Sequence, residues 1–295
     1  LGIDFSGGRN YIIRFAEPVN TEEVNAALDN VFMEAKSELA DEETFALNVI
    51  TIGDANQVRV STNYRINDNS ETLDDEIEAL LYEGCKQFLP ENVTLKEFTS
   101  TDINPEIGIM QSQKVGPAIA DDITQSAVWA VLAALLGIFL YVLLRFRNFS
   151  FSVGALAGLA HNTLIVLGAY ALLWKVMPFS MEIDQSFIAA ILTVIGYSIN
   201  DTVVIFDRVR EYTGLYPKRA RKQNINDALN QTLSRTFSTS MSTLVVLIAI
   251  FCFGGETIRG FVFALIIGVV VGTYSSLCVA TPLAYDIQEA LDRRK

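Results

Sequence analysis

The sequence predicts a polytopic α-helical membrane protein that carries an α+β, ferredoxin-like external domain. Three observations lead there. Charge is segregated: residues 1–123 hold 24 acidic and 8 basic side chains, whereas residues 124–295 hold 10 and 14. Five apolar segments, each near the roughly 20 residues that span hydrocarbon, fill the second part. The first hundred residues instead alternate short strand-like and helix-like stretches.

In chain order, residues 1–8 (LGIDFSGG) form a Gly-ended turn. No Lys-Ser/Thr follows the glycines and no helix opens on them, so a phosphate cradle is disfavoured. Residues 9–100 are expected to form the external domain. Asn10–Phe15 reads as a strand, and Thr21–Glu38 as a helix through Val24, Ala27, Leu28, Val31 and Phe32, with Thr21 as its N-cap. Thr44–Ile52 and Gln57–Tyr64 read as strands joined by a turn at 53–56. Glu71–Phe88 is a second helix, with Leu73, Ile77, Leu80, Leu81 and Cys85 on one face, and Val93–Phe98 closes as a strand. The order βαββαβ is that of a split βαβ, ferredoxin-like domain. Residues 101–122 read as an irregular linker.

The membrane domain is expected over 123–285, as Ile123–Leu144, Phe151–Trp174, Phe187–Phe206, Phe237–Phe253 and Phe261–Tyr285. Residues 286–295 form a tail. Arg145 and Arg147 follow the first span, six basic residues between 208 and 222 separate the third from the fourth, and Arg293, Arg294 and Lys295 end the chain. Loops Lys175–Ser186 and Gly254–Gly260 are poor in Lys and Arg. By the positive-inside rule the basic loops and C-terminus are cytoplasmic and the acidic domain lies outside. Because the chain starts at Leu1 inside a Gly-rich motif, more chain is expected upstream, with a membrane anchor as one reading of it.

The polar groups inside the apolar segments carry the functional reading. Asn200 and Asp201 interrupt FIAAILTVIGYSINDTVVIFDRVR, residues 187–210. An ionisable group there costs roughly 2.5–3.5 kcal/mol on insertion scales, and its default reading is functional. At about 1.5 Å per residue, Asp201 lies about 9 Å deeper than Asp207 and Arg208, which mark the membrane edge. The fourth span opens on SRTFSTSMST, in which Arg235, Ser238, Thr239 and Ser242 share a face. Arg235 can reach the carboxylate across antiparallel helices. A fixed cation favours the charged acid and burial favours the neutral one, an opposition suited to a proton relay. A packing role for Asp201 and snorkelling of Arg235 to the interface are the alternatives. His161 beside Asn162 reads as a packing residue or a relay group. Gly154-x-x-x-Gly158 and Gly268-x-x-x-Gly272 read as close-approach surfaces. Three scattered cysteines and one histidine give no metal or disulfide pattern, and no cofactor is expected. The acidic domain disfavours nucleic acid.

GIDFSGG, Val115–Pro117, Gly196–Glu211, Ser234–Leu244 and Gly272–Leu283 together resemble the SecF family. Equally, they resemble the SecF half of a fused SecDF protein-export subunit of the resistance-nodulation-division superfamily. The resemblance runs in order over essentially the whole chain. It implies a non-enzymatic role in the bacterial cytoplasmic membrane: using the proton-motive force to help exported, unfolded polypeptides leave the SecYEG channel on the outer face. It implies a sixth span just upstream of GIDFSGG and a SecD partner, separate or fused, with SecA and YidC as further candidates. The family's intramembrane aspartate falls on Asp201 and its functional arginine on Arg235, with Asn200, Ser198 and Thr202 as supporting polar groups. The chain departs from the family in having Asn162 after His161, where Asp is frequent. The rival readings are a small-molecule or lipid exporter of the same superfamily and a passive assembly scaffold.

Overall fold

The computed structural model describes residues 2–38, 45–68, 70, 72–174, 176–177, 179 and 181–294. Leu1, Thr44, Glu71, Lys175 and Lys295, which bound or end predicted segments, lie outside the described residues. The chain divides into two units. The first comprises Leu1–Gln125, Pro178–Asp184 and Gly255–Thr257; the second comprises the remaining helical residues.

The first unit opens with a single helical turn, α1 (Ile3–Ser6), and β1 (Gly8–Arg14). Then follow α2 (Thr21–Glu38), β2 (Leu47–Thr51), β3 (Gln57–Thr62), α3 (Leu73–Cys85), α4 (Leu95–Thr99) and β4 (Gly108–Val115). The four strands form one antiparallel sheet in the order β2-β3-β1-β4. Period-two alternation sends Tyr11, Ile13, Val58 and Val60 to one face, where they meet Val24, Leu28 and Phe32 of α2 and Leu73, Ile77, Leu81 and Cys85 of α3. Burial of each large side chain in this core stabilises the fold by roughly 1.5–3 kcal/mol. Arg9 is buried on the same face, and its Nε donates to Asp74 Oδ1 at 2.7 Å, tying the start of α3 to β1.

Three local expectations are corrected. Val93–Phe98 is not a strand: Thr94 and Glu97 form a capping box and open α4 instead. The closing strand is Gly108–Val115, which falls in the stretch expected to be an irregular linker, so the sheet unit runs past residue 100. Asn20, not Thr21, caps α2, its Oδ1 accepting the Glu22 N–H at 2.9 Å.

The second unit is helical. Five helices are long and apolar enough to cross a membrane: Pro117–Phe146, Phe149–Leu173, Gln185–Leu215, Arg221–Phe253 and Ile258–Asp292. The first four are α5 to α8. The fifth is built from α9 (Glu256–Ser275), a π-helical turn (Ser276–Ala280) and α10 (Thr281–Asp292). Pro282 explains the irregularity: it cannot donate to the carbonyl one turn back, and the helix widens there. Helices α7 and α8 both continue beyond the apolar stretches, since no proline falls within either; Pro217 lies in the connection between them.

The small-residue surfaces work as close-approach faces. A Cβ on Gly154 would meet the Ala280 carbonyl at 2.5 Å, and one on Gly158 would meet the Ala280 side chain at 3.1 Å. Thus α6 lies directly against the π turn and α10. Gly272 plays the same part against Ser198 of α7, with 3.2 Å available.

Candidate functional site

Helix α7 buries one stripe: Val194, Ile195, Ser198, Asp201, Thr202, Ile205 and Val209. These positions recur at three and four residues, so the polar trio stands on the same face as the apolar ones. Asp201 is 8 % exposed and stands on this inner stripe. Ser198 accepts from Asn162 Nδ2 of α6 at 2.8 Å. Thr202 Oγ1 lies 2.9 Å from Ser276 Oγ in the π turn, and Ser276 Oγ is 2.9 Å from the Gly272 carbonyl. Thr281 Oγ1 donates to the Ser276 carbonyl at 2.8 Å, tying the start of α10 to the π turn. The result is a buried hydroxyl and amide cluster joining three helical elements beside the one buried carboxylate of α7.

Helix α8 packs against α7. Its buried stripe is Asn224, Ala228, Thr232, Thr236 and Ser240, four residues apart. Arg235, Ser238, Thr239 and Ser242 do share a face, and it is the exposed one. Their hydroxyls turn back on their own helix: Thr239 donates to the Arg235 carbonyl at 3.1 Å and Ser242 to the Thr239 carbonyl at 2.8 Å. Arg235 is the charged neighbour that acts electrostatically on Asp201. Among the described residues no ion pair within 4.0 Å joins the two.

Of the sequence-predicted residues, the structure brings Ser198 and Thr202 into the cluster and sets Arg235 near Asp201. Asn200 does not join them: it is exposed and lines an open groove of about 430 Å³ with Tyr141, Gly196, Tyr197, Ile199 and Val203. His161 is half-buried; its ring lies 6.2 Å from that of Tyr274, and its Nδ1 is buried without a hydrogen-bond partner among the described residues. Spacing alone does not mark Asn162, Ser276 and Thr281 as site residues. Their signal is present nonetheless, as polar side chains in apolar runs and a Thr-Pro step inside a span.

The family model for the protein export membrane protein SecD/SecF, C-terminal region, matches residues 95–290. The protein translocase subunit SecF of Rhodothermus marinus is 39 % identical over the whole chain, which covers 85 % of that protein. The subunit of the same name from Thermodesulfovibrio yellowstonii is 36 % identical over 96 % of the chain and 82 % of its own length. The chain belongs to the SecD/SecF family. A crystal structure of SecDF, a translocon-associated membrane protein from Thermus thermophilus, superposes with a TM-score of 0.72 at 30 % identity, covering 98 % of this chain. The chain spans 34 % of that SecDF chain. With five apolar helices and membership of this family, it is a multi-pass membrane protein of the protein-transport machinery.

Proposed function

We propose that this chain is an auxiliary, proton-coupled subunit of the Sec protein translocase. In this reading it uses the proton-motive force to promote polypeptide translocation and release on the outer face of the cytoplasmic membrane. The sheet unit, whose strand order suits a ferredoxin-like domain, is external; the basic loops and C-terminus are cytoplasmic. SecD, separate or fused, is the immediate partner. SecYEG, the exported unfolded chain, and SecA and YidC as further candidates complete the surroundings.

The observation that carries the reading is Asp201, a buried acidic residue on the same inner stripe of α7 as Ser198 and Thr202, with Arg235 nearby but not bonded. A buried acid locked in a close ion pair would serve packing alone. One left without that pair has two accessible charge states, and the position of Arg235 biases the choice between them. One charge crossing 100 mV is worth roughly 2.3 kcal/mol, enough to shift a conformational equilibrium by more than tenfold. Ser198 and Thr202 add hydroxyls to the same inner stripe of α7.

Inverted vesicles containing the translocase and the full-length protein with SecD test this. Asp201→Asn, at equal assembly, is expected to abolish the gradient-dependent part of export and leave the gradient-independent part. Full retention of the gradient-dependent part would instead support the scaffold reading.

A further inference from the structure

The GIDFSGG motif has no part in the proton site, yet its residues hold together three separate stretches of the first unit. The Gly2 N–H donates to the Ile183 carbonyl at 2.8 Å. Ile3 packs with Val115 and Ala120, at the passage from β4 into α5. Gly7, at φ +70°, lies 3.5 Å from Pro117, the first residue of α5, measured from where a Cβ would stand. Gly8, at φ +150°, leaves no room for a side chain, since a Cβ would meet Ile3 and the Thr62 carbonyl at 2.9 Å. At Gly7 and Gly8 the backbone conformation itself favours glycine.

The stretch that receives Gly2 is the connection before α7. Met181 is 7 % exposed, and Glu182 pairs with Arg59 on β3 at 3.5 Å, both side chains being about four-fifths buried. Residues 181–184 therefore belong to the sheet unit. The next residue, Gln185, begins α7, and Asp201 follows about 24 Å along the same helix at 1.5 Å per residue.

We propose that the Gly2–Gly8 corner and the Met181–Asp184 strap form a coupling joint, which stays closed and carries movement of α7 into the four-stranded sheet. This rests on the proton-coupled reading of Asp201. The chemistry at Asp201 displaces α7, and the joint makes that displacement the sheet's displacement through continuity of the chain at Asp184–Gln185. A flexible connection of the same length would absorb it.

The test uses the full-length protein with SecD in export vesicles, in a background where the exposed Cys252 and Cys278 are serine. Gly2→Cys with Asp184→Cys fastens the joint. A Cβ on Gly2 stands 3.4 Å from the Asp184 Cβ, close to the spacing of a disulfide. Oxidation is expected to leave gradient-dependent export within twofold of the reduced state. Glu182→Arg is expected to lower that component at least fivefold, and adding Arg59→Glu to restore it to within twofold of wild type. Reversible loss on oxidation would overturn the closed joint. Either an unaffected Glu182→Arg protein or a double variant that fails to recover would overturn the coupling role. Asp201→Asn in the same vesicles separates the two ideas: if it loses the gradient-dependent component while the joint variants keep it, the joint is wrong and the proton-coupled function stands.

Discussion

Asn162 and Ser198 show what a single buried polar contact does in this bundle. The Asn162 amide donates to Ser198 at 2.8 Å, while its Oδ1 is buried without a partner among the described residues. Ser198→Val leaves the amide buried with nothing to donate to, at a cost of about 1–3 kcal/mol. Asn162→Leu added to Ser198→Val removes both polar groups, and most of the loss is expected to be recovered. A double-mutant cycle on unfolding in detergent measures this, and additive losses would contradict the contact. Cys85 offers a second check. Burial pushes its thiol up to about 12, so in the folded protein it is expected to resist a maleimide at pH 8 and to react after denaturation. Labelling of the native protein would contradict the core placement. At this scale the sequence was informative where a residue type was anomalous. Asp201 stands out in an apolar run by its desolvation cost alone. Asn162, Ser276 and Thr281 do not, because small polar groups are inexpensive in helices where they bond to a neighbour or to a carbonyl, and only packing reveals which helix supplies the partner.

At the scale of elements, the capping box at Thr94 illustrates why one prediction failed. Val93–Phe98 alternates in polarity as a strand does, but Thr94-x-x-Glu97 satisfies two free N–H groups of a helix start, and that local gain wins. The Thr94 backbone N–H, donating to Glu97 at 2.8 Å, holds the Glu97 carboxyl below its usual range. A depressed acid contributes stability that is complete above its unfolded value near pH 4.3 and is lost as the pH falls through the lower folded value. Thermal unfolding of Glu97→Gln is therefore expected to lie below wild type at pH 7 and to converge with it under acid conditions. A gap independent of pH would contradict the capping role. The spans were legible because five apolar lengths leave little choice, and their helical faces followed from spacing. The π turn was not, since a Thr-Pro step is compatible with a kink, a break or a widened turn.

For the whole molecule, the division between an acidic α+β unit and an apolar helical bundle was plain in the distribution of charge. What the charge pattern could not convey is which stretches of the second half return to the first unit. Residues 181–184 read as part of a short connection in sequence, but Arg59 pairs with Glu182 and Gly2 with Ile183 within the sheet unit. The central claim is that Asp201 passes protons through this bundle. Reconstitution of the full-length protein with SecD into liposomes containing a pH-sensitive dye tests it directly, with a proton gradient imposed and an unfolded polypeptide present. Wild type is expected to acidify the lumen faster than protein-free liposomes, and Asp201→Asn, equally inserted and assembled, to fall at least tenfold toward that background. Acidification by Asp201→Asn at the wild-type rate would contradict the account.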